Sequence, residues 1–243
     1  MTARCGRGTI EAGGDMPSKR ARRGGDVDDA VPMRPRLDAG VIVSAGLELA
    51  ASGATTISVR ELGTRLGADP TAIYRHFRSK DDLMRALLDD ITLRAVRSVD
   101  LPVEDWQGRL RALARATLDL YSQYPAVGAE ATTLTTHGPG ELGAIELMLE
   151  AFTTAGLDEA GVVRHYALMA SHVLSTAAGI ARARADRGDG DLDGPWFDEP
   201  PLADPRSHPR IAAHTVALAS LRDRDLFFLG VDLVLESAER AAR

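Results

Sequence analysis

Apolar residues recur at helical spacing along residues 37–98, and this pattern predicts four helices. The spacing of three or four positions is that of a helix with one buried face, whereas a half-buried strand would alternate every second residue. The second and third predicted helices are short. The apolar stripes comprise Ile42, Ala45 and Leu49 in the first helix, Val59, Leu62 and Leu66 in the second, Ile73, Tyr74 and Phe77 in the third, and Leu83, Leu87 and Ile91 in the fourth.

Capping residues mark the ends of these helices. Each of the last three begins at a Ser or Asp whose side-chain oxygen can accept a hydrogen bond from a free N–H of the first turn. A glycine follows the second helix, where a left-handed residue is favoured. Two short helices joined by a tight turn are the layout of a helix-turn-helix, although an ordinary helical bundle would carry the same caps. These residues are Ser58, Asp69 and Ser79 at the starts, and Gly67 at the turn.

The second short helix, residues 69–77, favours DNA binding over the plain bundle. Away from its apolar side it carries small, polar or basic residues, and Tyr74 is placed to reach a phosphate. The second helix of a helix-turn-helix enters the DNA major groove. A ligand carrier without DNA activity has no need to expose Thr71, Arg75 and His76 there.

Residues 99–243 continue the helical pattern, so we expect an all-α protein. Pro102 and Pro125 bound a predicted helix that begins at Trp106, and further helices are predicted at 142–152, 159–184 and 222–241. The long helix 159–184 is rich in small residues, which allow another helix to approach closely. That second helix can belong to the same chain or to a second copy, and we expect a homodimer. The small residues are Ala167, Ala170, Ser171, Ala177 and Ala178.

Charge divides the chain into two parts. The 29 Lys and Arg stand against 35 Asp and Glu, and this net charge of −6 argues against a nucleic-acid binder at first sight. Residues 1–98, however, carry 16 basic and 13 acidic residues, whereas residues 99–243 carry 13 basic and 22 acidic residues. We therefore expect the N-terminal part to contact DNA and the acidic part to stay away from it.

Other features of the sequence exclude several classes. The single cysteine, Cys5, allows neither an intramolecular disulfide nor a cysteine-based zinc site, and no apolar leader begins the chain, so we expect a cytoplasmic protein. The uncharged residues 165–181 are too few and too polar for a membrane span. Motifs such as G-x-S-x-G, H-E-x-x-H and the phosphate-binding glycine loops do not occur, which predicts no enzyme, no cofactor and no metal.

Two segments allow a functional and a plain interpretation. Residues 1–36 lack helical or strand periodicity and are predicted to be disordered. Their arginines could lie on DNA phosphates or form a solvated tail, and Met33 offers an alternative start. Residues 189–194, DGDLDG, match the opening of a calcium loop, but Pro200 stands where its glutamate belongs, so a flexible acidic loop is the other interpretation. The arginines are Arg20, Arg22, Arg23, Arg34 and Arg36.

Residues 58–91 carry a family resemblance. They read SVRELGTRLGADPTAIYRHFRSKDDLMRALLDDI, and the region 37–98 around them resembles the TetR family of one-component transcriptional repressors. The rest is similar to the tetracycline-repressor type of C-terminal domain, through DW at 105–106, LEAFTTAGL at 149–157, ASH at 170–172 and FFLGVDLVLE at 227–236. The resemblance implies a helix-turn-helix domain at 37–98, and at 99–243 a helical domain that dimerises through its last long helices and holds an inducer.

The resemblance also implies roles for single residues in operator DNA binding. Arg60 matches a base-contacting arginine, which suits the bidentate grip of Arg on guanine. The start of the second short helix faces base edges, and later positions contact phosphates, although Arg75 stands where tetracycline repressors carry an aromatic residue. The implied DNA contacts are Ser58, Arg60, Pro70, Thr71, Ala72, Tyr74, Arg75, His76 and Lys80.

The inducer pocket departs from the tetracycline repressors. Those proteins hold a magnesium–drug chelate with histidines, whereas this chain has Val96 and Thr132 at the approximately matching positions. We therefore expect an apolar or aromatic inducer that shifts the helix after Ser79 and so changes the spacing of two recognition helices. Each candidate could instead be plain core. The candidates are Val96, Thr132, Thr135, His137, Met148, Phe152, Tyr166, Met169 and His172.

Overall fold

The computed structural model describes residues 37–52, 54, 56–187, 194–197 and 199–243, with side chains omitted at 185–187. Within these ranges the chain is helical, with no strand beyond an isolated bridge between Pro195 and Arg222. The prediction of an all-α protein is confirmed. The helices are α1 (Ala39–Ala51), α2 (Val59–Leu66), α3 (Pro70–Tyr74), α4 (Lys80–Arg97), α5 (Trp106–Gln123), α6 (Pro125–Gly128), α7 (Pro139–Thr154), α8 (Glu159–Arg187), α9 (Pro209–Ala219) and α10 (Asp223–Ala241).

Helices α1 to α3 each begin at a capping residue, and α2 also ends at the glycine that the sequence supplies. Ser58 accepts a hydrogen bond from the Glu61 amide, and Asp69 accepts one from the Thr71 amide at 2.8 Å. Gly67 ends α2 with a φ of 61°, a left-handed conformation that glycine adopts without strain. Ile42, Leu62 and Ile73 are almost fully buried and form the centre of this small bundle.

The third helix is shorter than predicted. Residues 69–77 were expected to form one helix, but α3 ends at Tyr74 and residues 75–79 lead into α4 as a turn. The amides of His76 and Phe77 both donate to the carbonyl of Ile73, which tightens the chain there and ends the helix. Phe77 still reaches the core.

Helix α4 is shared by both parts of the protein. It starts at Ser79, which accepts a hydrogen bond from the Asp82 amide at 3.0 Å, while Asp82 accepts one from the Arg78 amide at 2.9 Å. Its first half packs against α1, where Leu87 lies against Gly46, and its second half packs against α5 and α7. Residues 37–243 form one compact unit as a result.

The remaining helices surround α8. Helices α5, α6, α7 and α10 all contact it, and its buried residues include His165, Met169 and Ala177. The predicted helices at 142–152, 159–184 and 222–241 are present with small differences in length, whereas α6 and α9 were not predicted. Both of these begin at a proline, a residue that suits the first helical turn as well as a break.

Several predictions fall on residues that the structure does not describe. They concern the N-terminal extension at 1–36, with its arginines, and residues 189–193 of the calcium-like pattern. Among the described residues, no helix is both long enough and apolar enough to cross a bilayer.

Candidate functional site

Helices α2 and α3, the turn after α3 and the start of α4 present a polar and basic surface. Arg60, His76 and Lys80 are exposed, and in the described part of the chain none of the three has a side-chain hydrogen bond or ion pair. Arg65 lies on the same helix as Arg60 but pairs with Glu48 on α1 at 2.8 Å. The surface therefore offers basic side chains free to contact an anionic partner.

The start of α3 is held by a local hydrogen-bond pair. Asp69 accepts hydrogen bonds from both the hydroxyl and the amide of Thr71, and these bonds, the hydroxyl first, lower the pKa of the Asp69 carboxyl, with Arg75 adding a smaller effect. The hydroxyl proton of Thr71 thus points to its own cap. Its methyl group and oxygen lone pairs remain available on the exposed side.

A cavity lies between α4, α5, α7, α8 and the segment that joins α6 to α7. Its volume is about 110 Å³. Most of its wall is apolar and comes from Leu88, Leu110, Leu113, Met148, Met169 and Val173. Its polar groups are Thr92, Thr117, Tyr121, Thr136, Glu141 and Tyr166. An apolar enclosure with a few polar groups is the usual character of a small-molecule site.

One end of the cavity is built around the start of α7. The buried carboxylate of Asp89, on α4, accepts hydrogen bonds from the amides of Gly140 and Glu141, each at 3.1 Å, and from the Thr136 hydroxyl at 2.7 Å. A carboxylate at a helix N-terminus satisfies free amides and favours the helix dipole. Gly140 is required here, because a Cβ atom would lie 2.2 Å from the Asp89 carbonyl oxygen.

Glu141 closes the same end from the α7 side. Its Oε2 accepts hydrogen bonds from the Thr136 amide at 2.8 Å and the His137 amide at 2.6 Å, and it lies 3.0 Å from the Thr136 hydroxyl, whose single proton it shares with Asp89. Nearby, burial raises the pKa of Tyr121 to about 12, so its phenol keeps its proton at neutral pH. At this end the cavity lining therefore combines one carboxylate, that of Glu141, with neutral hydroxyls, and the Asp89 carboxylate lies behind the lining.

Comparison with known proteins connects these two regions to one family. Residues 42–87 match the family of "Bacterial regulatory proteins, tetR family". Residues 100–240, more than half of the chain, match the "Tetracyclin repressor-like, C-terminal domain". The chain belongs to the TetR family. The resemblance to the TetR family of transcriptional regulators, which the sequence predicts, is confirmed.

Individual relatives of this TetR-family regulator carry corresponding names. The HTH-type transcriptional repressor DrrR1 of Streptomyces coeruleorubidus is 25% identical over 166 residues, 68% of this chain and 62% of that protein. An HTH-type transcriptional repressor of Mycobacterium tuberculosis is 28% identical over 236 residues, 92% of this chain and 85% of that protein. The chain spans about three fifths of the length of the first curated relatives that it matches.

A solved structure shows the same fold. The transcriptional regulator described as a TetR from Streptomyces coelicolor superimposes with a TM-score of 0.67 at 24% sequence identity, covering 86% of this chain and 100% of that one. An N-terminal helix-turn-helix followed by a helical C-terminal domain is thus the fold of this regulator.

Three of the nine predicted ligand residues line the cavity, namely Met148, Tyr166 and Met169. Phe152 is fully buried between Trp106 and His165, with ring centroids 6.3 and 5.7 Å away. His172 is turned toward α10, where its Nε2 lies 2.8 Å from the Phe227 carbonyl oxygen. The other four, which also lie outside the lining, are Val96, packed near Gly143, and the exposed Thr132, Thr135 and His137.

Sequence reasoning missed most of the polar groups in the cavity. The overlooked residues with a readable signal are Thr92 and Thr117, since each lies one turn after a leucine on a buried helix face. A hydroxyl on such a face can bond to its own helix, as both do, or reach a ligand. Thr136 and Glu141 gave no comparable signal, because they lie in or beside an irregular segment.

Proposed function

We propose that this chain is a transcriptional repressor that binds operator DNA as a homodimer and is released by a small-molecule inducer. Helix α4 carries the proposal. It begins at Lys80, directly after the turn that follows α3, and continues without a break to Leu88 and Thr92 in the cavity wall. A single helix of 18 residues therefore belongs both to the DNA-facing part and to the cavity.

We assign DNA binding to residues 37–98 and ligand binding and dimerisation to residues 99–243. In the first region, Arg60 and the start of α3 read base edges, while Tyr74, His76 and Lys80 contact phosphates and set the register. Because the Thr71 hydroxyl donates to Asp69, its methyl group is the part that meets a base, such as a thymine methyl. The full set is the surface named above: Ser58, Arg60, Pro70, Thr71, Ala72, Tyr74, Arg75, His76 and Lys80.

Exposed apolar side chains on α8 and α10 support the homodimer. These helices pack against each other, and both leave leucines in solvent: Leu168 on α8, and Leu229 and Leu233, 55% and 53% exposed, on α10. An apolar patch shared by two neighbouring helices is typical of a protein interface. Helix α9 has no buried residue and leaves Val216 85% exposed, which adds apolar surface for a second copy.

The inducer acts through the spacing of the two recognition helices. A volume near 110 Å³ is smaller than the roughly 150 Å³ that holds a benzene ring in a protein interior, so a larger ligand must push α4 and α7 apart. Half-sites in operator DNA lie about one helical turn apart, so a displaced α4 reduces the fit of both recognition helices. We expect this inducer to be apolar or aromatic, to match the cavity wall. A protein that binds operator DNA acts where that DNA lies, which for this chain is the cytoplasm.

The central experiment measures DNA recognition. Operator sequences are first selected from a random duplex pool by the full chain and then used in gel-shift titrations. Arg60→Ala is expected to weaken specific binding by about 1–3 kcal/mol for each half-site and to relax base preference at one position of each half-site. Arg65→Ala is the matched control on the same helix, because its guanidinium is paired with Glu48. An equal loss on every duplex would remove Arg60 from the base contacts.

A second measurement tests the coupling. An inducer shifts the protein off DNA only if it prefers the free state, so its affinity for the free protein must exceed its affinity for the operator complex. Equal affinity for the two forms, measured by calorimetry, would contradict release by inducer.

A further inference from the structure

We propose that the inducer of this regulator is an amphiphilic amine, with a small apolar or aromatic body and a protonated amino group that binds Glu141. The inference rests on the proposed function, because it takes the cavity as the inducer site. It adds the charge and hydrogen-bonding character of the ligand, which follow from the groups in the cavity wall.

The cavity wall carries negative charge without a compensating cation. Among its described lining residues Glu141 is the one charged side chain, and none is Lys, Arg or His. The nearby carboxylate of Asp89 lies outside the lining and accepts hydrogen bonds from the amides that begin α7. A ligand with a carboxylate would therefore bring a like charge to Glu141 in a partly enclosed site, whereas an ammonium group would be attracted.

The three threonine hydroxyls of the cavity lining already donate hydrogen bonds within the protein. Thr92 and Thr117 donate to the carbonyls of Leu88 and Leu113, each at 2.8 Å. Thr136 donates to a carboxylate, at 2.7 Å for Asp89. Each hydroxyl has one proton, so these three groups offer a ligand only lone pairs.

The two tyrosines complete the inventory. Tyr121 lines the cavity, and burial raises the pKa of its phenol to about 12, so the group keeps its proton. Tyr166 also lines the cavity and is half-buried. A phenol can donate or accept, whereas the three threonines and Glu141 can only accept. The polar wall therefore has more acceptors than donors and favours a ligand that donates.

Glu141 has one oxygen left for such a donor. Its Oε2 already accepts hydrogen bonds from two amides and shares the Thr136 hydroxyl proton with Asp89, whereas no donor to its Oε1 occurs in the described part of the chain. Glu141 lines the cavity, and a carboxylate oxygen without a donor is stabilised when one reaches it, most strongly when the donor is charged. The amino group of the ligand fills this position.

The apolar end sets the size of the body. Met148, Met169 and Val173 face the cavity, and methionine side chains adapt to aromatic rings with favourable sulfur contacts. With about 110 Å³ available, less than the roughly 150 Å³ that holds a benzene ring, the body is a short chain or a single ring, and a ring enters only as α4 and α7 move apart.

The test compares three molecules with the same body and different heads, namely 4-phenylbutylamine, 4-phenylbutan-1-ol and 4-phenylbutanoate, by calorimetric titration of the full chain. We expect the amine to bind at least tenfold more tightly than the alcohol, and the carboxylate to bind most weakly. In Glu141→Gln the amine should fall to the affinity of the alcohol, while alcohol binding is retained. Glu146→Gln, an exposed glutamate on the same helix outside the lining, should leave the order unchanged.

The outcomes separate this inference from the proposed function. If the amine and the alcohol bind equally, or if the carboxylate binds best, the amine is rejected while the cavity remains the ligand site. If none of the three binds, the inducer site itself is rejected and the inference with it. Retained alcohol binding shows that Glu141→Gln is folded. Should that variant not fold, the order of the three molecules on the unmodified protein decides the question.

Discussion

The DNA-facing surface and the ligand cavity are built in opposite ways. The surface draws on residues 58–80, a short stretch in which each helix is capped by its own neighbours and the functional side chains are exposed. The cavity draws on residues 88–174, and its wall comes from four helices and a connecting segment. Changes to the surface should therefore alter binding with little loss of stability, and changes around the cavity should alter stability first.

The largest expected effect compares two aromatic residues. Phe152 is fully buried beside the cavity, and Phe152→Ala should lower the free energy of unfolding by about 3–5 kcal/mol because it removes a packed ring and leaves a void. Tyr74 is 48% exposed on the DNA-facing surface, and Tyr74→Ala should change stability by about 0.5 kcal/mol or less. Denaturant unfolding followed by circular dichroism measures both. Similar losses of unfolding free energy for the two variants would contradict the idea that the DNA-facing surface contributes less to stability than the surroundings of the cavity.

The next effect compares two adjacent aspartates on α4. Asp89→Ala leaves the amides of Gly140 and Glu141 without their acceptor and removes the nearer of two carboxylates from the Thr136 hydroxyl, which should cost about 2–3 kcal/mol. Asp90 pairs with Arg94 at 2.7 Å on a partly exposed face, so Asp90→Ala should cost about 1 kcal/mol or less. The same unfolding measurement applies. If both changes cost equally little, Asp89 does not hold the start of α7.

The different construction also explains what could be predicted from the sequence. The starts of α2, α3 and α4 are decided by Ser58, Asp69 and Ser79, each of which bonds to an amide two or three residues away. Both partners of each contact lie within a few residues of each other, so the local sequence pattern is enough to predict where these helices begin. The end of α3 was misplaced because a tighter turn at Ile73 competes with continuation of the helix.

The cavity could not be assembled in the same way. Its wall depends on which face each of several helices turns inward, and that is decided by packing between residues far apart in sequence. His172 illustrates the difficulty. It lies three residues after Met169, which lines the cavity, so the helical spacing predicts that it faces the same way. Its ring is instead directed to the Phe227 carbonyl, beside Gly230. Phe152 was a reasonable candidate by type but is enclosed by Trp106 and His165.

A smaller effect tests the DNA-facing surface at the start of α4. Lys80→Ala should reduce the slope of log affinity against log salt concentration by about one for each protomer, or about two for the homodimer, because each protomer neutralises one fewer phosphate. Arg97→Ala removes the same charge from the exposed far end of α4 and should leave the slope unchanged. Gel-shift titrations at several salt concentrations measure both. An equal decrease for the two variants would show a general charge effect rather than a phosphate contact at Lys80.

The smallest effect concerns the cap of α3. Hydrogen bonds from Thr71 lower the pKa of the Asp69 carboxyl in the folded protein below its ordinary value of 3.8. A group with a depressed folded pKa stabilises the fold above its unfolded pKa, and this contribution is lost as the pH falls below 3.8 and through the folded pKa. Asp69→Asn keeps a capping oxygen but does not titrate, so between about pH 5 and 2 its stability should fall slightly less steeply than that of the unmodified protein. Parallel pH dependences in denaturant unfolding would show that the Thr71 hydroxyl is not held by the Asp69 carboxylate, which would return that hydroxyl to the DNA-facing surface as a donor.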